Sequence, residues 1–415
     1  MLERPPSVDA LARSLRATGL PHPLLVDAAR DAIAAGDPAS AASRAEALGR
    51  RLLRPVVNAT GVLLHTNLGR APVGVHVEGT TYSNLELDLD TGQRGSRQDR
   101  VAPLLARAGG AEAALVVNNC SAAVLLVLAA LAKGGGVAVS RGELIEIGGG
   151  FRIPEVLEQS GAHLVEVGTT NRTRLADYGA VLDHVTLVLK VHTSNYRITG
   201  FTADVGVAAL AALDARPPLV VDVGSGLLDA GTPWLRAGPP PWLSGEPAVR
   251  QTLEAGADLV TFSTDKLLGG PQGGVIAGRA DLVAACARHP LARALRPGGL
   301  VVAALADTAL AYLRRDGDAI PFWRMATLDA AALRARAAAL GVGQVVDCRS
   351  VAGGGTLPGV EVASAGVAVD GDRTATLRAA DPPVLARVSD GRTVCDLRTV
   401  DPVDDAHLAK VLAAS

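Results

Sequence analysis

The chain has 415 residues, 48% hydrophobic and 20% charged, enough for two or three domains around a large buried core. Its formal net charge of −2 gives no whole-molecule attraction to nucleic acid, and the longest apolar run, residues 122–132, is too short to span a bilayer. Cys120, Cys286, Cys348 and Cys395 are widely separated, so neither a zinc site nor a disulfide framework is indicated; with no apolar signal stretch near Met1, a cytoplasmic location is expected.

Residues 7–53 read as helices, and an N-terminal helical domain is expected over residues 1–54. Ser7 or Asp9 can cap the first helix, Leu11, Leu15 and Leu20 form its apolar stripe, and Pro21 and Pro23 break it. Helical segments continue over residues 24–35 and 39–53, with Gly36-Asp37-Pro38 as the stop. From Pro55 to Gly298 strands and helices alternate. Residues 113–117, 137–139, 163–167, 186–191, 219–223 and 258–262 are mostly β-branched runs, as in a parallel sheet covered on both faces. Residues 121–133 read as a buried helix. The class is therefore α/β, with a large domain over residues 55–298. Helices are expected at 301–313 and 328–340. Strand-like runs at 344–347, 359–363, 384–388 and 393–397 then suggest a small α+β domain over residues 299–415.

Three stretches carry chemistry. In Thr261-Phe262-Ser263-Thr264-Asp265-Lys266-Leu267-Leu268-Gly269-Gly270, a strand runs into a polar turn holding one lysine, in a chain where lysine is scarce. That context suits a Schiff-base lysine for pyridoxal 5'-phosphate. In Leu219-Val220-Val221-Asp222-Val223-Gly224, an acid lies near the carboxyl end of a strand, where open α/β sheets bind ligands. Asp222 could hold a pyridine nitrogen protonated. Asn118-Asn119-Cys120-Ser121 opens a helix after a strand, and its free N–H groups suit a phosphate. Asn119, Cys120, Ser121 and Ser263 are candidates for the cofactor contacts. His192 lies just past a strand end and could touch the cofactor ring or its phenolic oxygen, although a lone histidine is often structural. Taken singly, the lysine reads as a surface residue, the acid as a turn residue and the Asn-Asn-Cys-Ser turn as an ordinary helix cap. Their order along the chain favours the joint reading.

Longer motifs point the same way. They include Arg54-Pro55-Val56-Val57-Asn58-Ala59-Thr60-Gly61, Leu64-His65-Thr66-Asn67-Leu68-Gly69-Arg70-Ala71 and the run from Ser140 through Gly148 and Gly149. Others are Val167-Gly168-Thr169-Thr170-Asn171-Arg172-Thr173, Lys190-Val191-His192-Thr193-Ser194-Asn195-Tyr196, His289-Pro290-Leu291-Ala292-Arg293-Ala294-Leu295-Arg296 and Gly353-Gly354-Gly355-Thr356-Leu357-Pro358. With the Lys266 run they make the chain resemble the bacterial selenocysteine synthase family, the L-seryl-tRNA(Sec) selenium transferases, over about residues 54–360.

The resemblance implies a fold-type-I pyridoxal-phosphate enzyme that converts seryl-tRNA(Sec) to selenocysteinyl-tRNA(Sec) with selenophosphate, by β-elimination and then selenium addition. It implies a homo-oligomer built from dimers, a decameric ring by resemblance, and an N-terminal domain that binds the tRNA. Lys266 becomes the Schiff-base lysine and general base. Arg70, Arg293 and Arg296 become the selenophosphate-binding arginines, a role that suits the planar fork of arginine. Without the resemblance, Arg293 and Arg296 could equally form a solvated basic helix face. The family often has Asn-Asn-Asn-Ala-Ala where this chain has Asn118-Asn119-Cys120-Ser121-Ala122, and the N-terminal block matches by no motif. Two other readings stay open: a pyridoxal-phosphate lyase or dehydratase acting on a free amino acid or amino sugar acid, and a non-enzymatic RNA-binding protein on the same fold.

Overall fold

The computed structural model describes residues 6–74, 82–147, 150–196 and 198–414, so Gly148 and Gly149 of the motif that begins at Ser140 lie outside the described residues. Three helices begin the chain, Val8–Ser14, His22–Ala34 and Ala41–Arg51. Ser7 caps the first by accepting from the Ala10 amide at 3.2 Å. The second starts at His22, two residues before the expected position. Pro23 falls in its first turn, where a missing N–H costs nothing. Ala12, Leu15, Leu25, Ala28, Ala29, Ala32, Ala41 and Ala45 form a small core of their own among these helices.

The large sheet has seven strands: β1 (Ala113–Val117), β2 (Gly136–Ser140), β3 (His163–Val167), β4 (Leu187–Val191), β5 (Leu219–Gly224), β6 (Leu259–Ser263) and β7 (Gly274–Gly278). Their spatial order is β1-β7-β6-β5-β4-β2-β3. Every pairing is parallel except those of β7, which runs antiparallel to both β6 and β1. The sequence pattern missed β7, because glycine at both its ends reads as loop. Those glycines answer to packing: a Cβ on Gly274 would lie 2.0 Å from the Asn119 carbonyl oxygen, so only glycine lets β7 pass under the helix-opening turn.

Both faces of the sheet are covered, as the continuous apolar strands require. Cys120–Leu131, Ile153–Ser160 and Ala280–Arg288 pack on one face, around Val124, Leu126, Leu128, Ile153, Leu157 and Val283. The other face holds Leu105, Val249, Val302, Leu305, Tyr312 and Trp323, from helices that include Gly299–Arg314 and Pro321–Ala326. The chain beyond Gly298 thus still contributes to the core of the large sheet.

A second sheet of five strands has the order Arg387–Ser389, Arg392–Asp396, Glu361–Asp370, Gln344–Gly353, Val62–Leu64. Its last strand comes from early in the chain and pairs in parallel with the Gln344 strand. Val57–Asn58 likewise pairs with Val384–Leu385. Val62–Leu64 therefore belongs by hydrogen bonding to the five-stranded C-terminal sheet and Val57–Asn58 to a separate two-stranded one, and both tie the C-terminal part of the chain to the segment that carries Arg70.

Candidate active site

The carboxyl ends of β4, β5 and β6 converge on Lys266. Asp222 is the fourth residue of β5 and is buried with the whole strand. In the parallel register it faces Thr261 of β6, whose hydroxyl donates to Asp222 Oδ1 at 2.8 Å. The Cys120 thiol donates to the same oxygen at 3.4 Å. Burial pushes the Asp222 carboxyl up, while these two donors and the nearby Lys266 charge pull it back. Both donors fall on Oδ1, and among the described residues no hydrogen bond to Oδ2 is observed. The carboxylate is held by one oxygen and offers the other. Thr261 was missed in the sequence; the signal for it was its place on the strand beside Asp222.

Lys266 follows β6 by three residues and is buried. Its Nζ donates to the Gly355 carbonyl at 3.0 Å. Gly355 sits at φ +85°, and a Cβ there would approach Nζ to 3.4 Å, so glycine suits both the backbone and the contact. The late glycine loop, noted only as a motif, thus caps the lysine from the second sheet. Burial lowers the Lys266 amine from the usual lysine value, and Arg70 pushes it the same way against Cys120, Asp222 and Asp265. The turn after Lys266 is pinned by Tyr312, whose hydroxyl donates to the Leu268 carbonyl at 2.8 Å and accepts from Trp323 Nε1 at 2.7 Å.

Arg70 reaches this turn. Its Nη1 donates to Asp265 Oδ2 at 2.7 Å, and the Ala71 amide donates to the Asp265 carbonyl at 3.2 Å. Arg70 holds φ +66°, an uncommon conformation for a side chain of this size, and its buried Nε has no partner among the described residues. A cleft of about 930 Å³ opens beside Arg70 and Gly269, lined also by Arg54, Arg314 and Arg324.

Arg293 and Arg296 lie elsewhere. They line a cleft of about 300 Å³ with Arg94, Arg97 and Glu86, and Lys266 is not among its walls. Arg296 Nη1 donates to Glu86 at 3.1 Å, and Arg97 and Arg94 hold that carboxyl down to about 2. Within this chain the three candidate arginines therefore do not converge.

The helix-opening turn joins the site through Cys120. Burial and the Asp222 charge push its thiol well up, so it is a thiol and not a thiolate. Ser263 is buried and close enough to the thiol to offset part of that rise. Asn119 caps the helix, its side chain accepting from the Ala122 amide at 2.8 Å. Ser121 is exposed and lines a shallow groove with Leu125 and Arg152.

His192 follows β4, and its amide donates to the Asp222 carbonyl at 2.9 Å. The ring lines a cavity of about 270 Å³ shared with Lys190 and Glu143. Glu143 is buried, accepts from Lys190 Nζ at 2.7 Å and from the Val191 amide at 2.9 Å, and burial pushes its carboxyl up. Several buried polar atoms here have no partner among the described residues: His192 Nε2, Ser194 Oγ, Ser225 Oγ, Glu246 Oε1 and Thr356 Oγ1. Native interiors rarely leave such atoms unpaired; of these, Ser225 and Thr356 adjoin the Lys266 turn, where the Leu267 amide donates to the Ser225 carbonyl and Lys266 Nζ to that of Gly355.

The chain also matches known proteins. Residues 56–401 match the model of the L-seryl-tRNA selenium transferase family. The L-seryl-tRNA(Sec) selenium transferase of Moorella thermoacetica is 47% identical, over 88% of this chain and 82% of its own length. That of Nitratidesulfovibrio vulgaris is 44% identical, over 98% of this chain and 97% of its own. Among solved structures, a D-glucosaminate-6-phosphate ammonia-lyase aligns with a TM-score of 0.60 at 21% identity, over 88% of this chain and 96% of that one, a likeness of fold alone. By family match, identity and coverage together, the chain belongs to the L-seryl-tRNA(Sec) selenium transferases.

Proposed function

We propose that the Lys266 pocket carries out the family's reaction, conversion of seryl-tRNA(Sec) to selenocysteinyl-tRNA(Sec), with pyridoxal phosphate as cofactor and selenophosphate as donor. The observation that carries this reading is a buried amine, lowered toward its reactive free form, three residues past one strand and close to a buried carboxylate on the next. The residues fit the cofactor. Lys266 would hold its aldehyde, and the unbonded Oδ2 of Asp222 would meet its ring nitrogen. The turn at Asn119 and Cys120, with Ser263 beside it, would receive the phosphate, and His192 the phenolic group. Bound there, the cofactor supplies an electron sink that makes the serine Cα proton acidic.

The chain's own groups do the rest. Lys266, buried and with its amine lowered, would be the base that takes and later returns the Cα proton. Asp222 would stabilise positive charge on the cofactor's ring nitrogen. Arg70, anchored on Asp265 beside the lysine, is placed to receive the anionic donor. Arg293 and Arg296 form a basic cleft of their own, suited to a phosphate-bearing ligand. The N-terminal helices would grip the tRNA, the assembly would be a homo-oligomer built from dimers, and the protein would work in the cytoplasm. Among the described residues, no helix is long and apolar enough to cross a membrane.

Borohydride reduction followed by peptide mapping tests the cofactor claim; the label should fall on Lys266, and a label elsewhere overturns it. Incubation with seryl-tRNA(Sec) and selenophosphate tests the reaction. Failure to form selenocysteinyl-tRNA, or turnover of a free amino acid instead, would favour the lyase reading.

A further inference from the structure

Glu246 is a buried acid that the reaction just described does not use. It follows the turn Pro241–Leu243, where its amide donates to the Leu243 carbonyl at 3.0 Å. Its side chain is only 4% exposed, and its Oε2 stands 3.6 Å from His192 Nε2. Neither Glu246 Oε1 nor His192 Nε2 has a hydrogen-bond partner among the described residues. A buried carboxylate without partners is costly, and so is a buried imidazole nitrogen. A side-chain movement of roughly 0.5 Å would bring the two into hydrogen-bond range and relieve both.

We infer that Glu246 is a positioning residue, which takes the Nε2–H of His192, fixes the plane and tautomer of the imidazole, and leaves Nδ1 as the ring nitrogen offered to the phenolic group of the bound cofactor. The nitrogen that a histidine presents is set by the hydrogen bond its other nitrogen makes. The chain path supports the assignment. The His192 amide is bonded to the Asp222 carbonyl, so the ring starts from a fixed point on the sheet, and Pro247 restricts the backbone directly after Glu246. The inference rests on the pyridoxal-phosphate reading above and assigns that site a residue which no sequence motif marked.

A double-mutant cycle tests it, using the full chain as wild type, Glu246→Gln, His192→Asn and the double variant. Each apoprotein is titrated with pyridoxal phosphate, and the dissociation constant and absorption maximum of the bound cofactor are recorded. Glu246→Gln and His192→Asn should each weaken binding by about tenfold and shift the band, and the double variant should bind no more weakly than His192→Asn alone. Glu246→Asp, which keeps the carboxylate, should recover part of the loss. The inference is overturned if Glu246→Gln binds within about twofold of wild type with an unmoved band, or if the two losses multiply in the double variant, the result expected of a purely structural acid. Borohydride labelling of the wild type separates this from failure of the parent reading. Label on Lys266 with an inert Glu246→Gln sinks the positioning role alone, whereas no label on Lys266 sinks both.

Discussion

Burial disfavours the charged forms of both Lys266 and Asp222, and the cost is measurable. Burial lowers the Lys266 amine, so the folded chain releases this proton before the unfolded chain does. Between that lowered value and the ordinary 10.5, the unfolded state binds more protons and stability rises with pH. Below that window the full penalty is present. Lys266→Met should therefore raise the thermal midpoint of the apoprotein at neutral pH, and the gain should fade as pH climbs toward 10.5, which calorimetry at a series of pH values would show. Asp222 runs the other way. Its raised carboxyl means that stability is lost as pH rises from 3.8 through the raised value, so Asp222→Asn should stabilise the apoprotein above that range while weakening cofactor binding. Thr261→Val removes a buried donor from Asp222 Oδ1 and should cost about 1–3 kcal/mol of the interactions at that carboxylate, roughly tenfold or more in cofactor affinity. Thr261→Ser keeps the hydroxyl and should restore most of the affinity in the same titration.

The buried lysine depends on elements far from it in sequence. The helix Gly299–Arg314 brings Tyr312 under the Lys266 turn, where its hydroxyl links the Leu268 carbonyl to the Trp323 indole. Tyr312→Phe leaves both groups buried and unpaired and should cost about 1–3 kcal/mol of stability, read as a lower urea midpoint with an unchanged m-value. This contact also shows where sequence reasoning reached its limit. The parallel strands were legible because a doubly buried strand is a continuous β-branched run, and Asp222 and Lys266 stood out as lone charges at the ends of such runs. Strand β7 was not legible, since Gly274 and Gly278 mask it and answer to the Asn119 carbonyl and the start of β6. Val62–Leu64 was not legible as part of the C-terminal sheet, because a short strand carries no mark of a partner nearly three hundred positions away. Thr261, Gly355 and Glu246 matter through register, loop placement and pairing, which only the folded chain displays.

At the scale of the whole molecule, the N-terminal helices stand apart energetically. Their buried side chains form a core drawn from residues 12–45, separate from the cores that cover the two faces of the large sheet. Removing residues 1–53 should therefore leave the Lys266 pocket intact, and the cofactor absorption band and the borohydride label should survive. The block also carries Arg44, Arg50 and Arg51 on its third helix; Arg50 lies 3.9 Å from Glu46 in an exposed pair of the kind that contributes little to stability. Charges held so loosely are available to a polyanion. If these helices bind the tRNA, the full chain should lose affinity steeply with salt, because each phosphate neutralised releases close to one counterion. The shortened chain should bind more weakly and with a shallower slope of log affinity against log salt. Filter-binding isotherms at several salt concentrations would measure both. Equal slopes and equal affinities would place the tRNA contacts on the body of the protein, where Arg54 and the clefts around Arg70 and Arg293 are among the basic places.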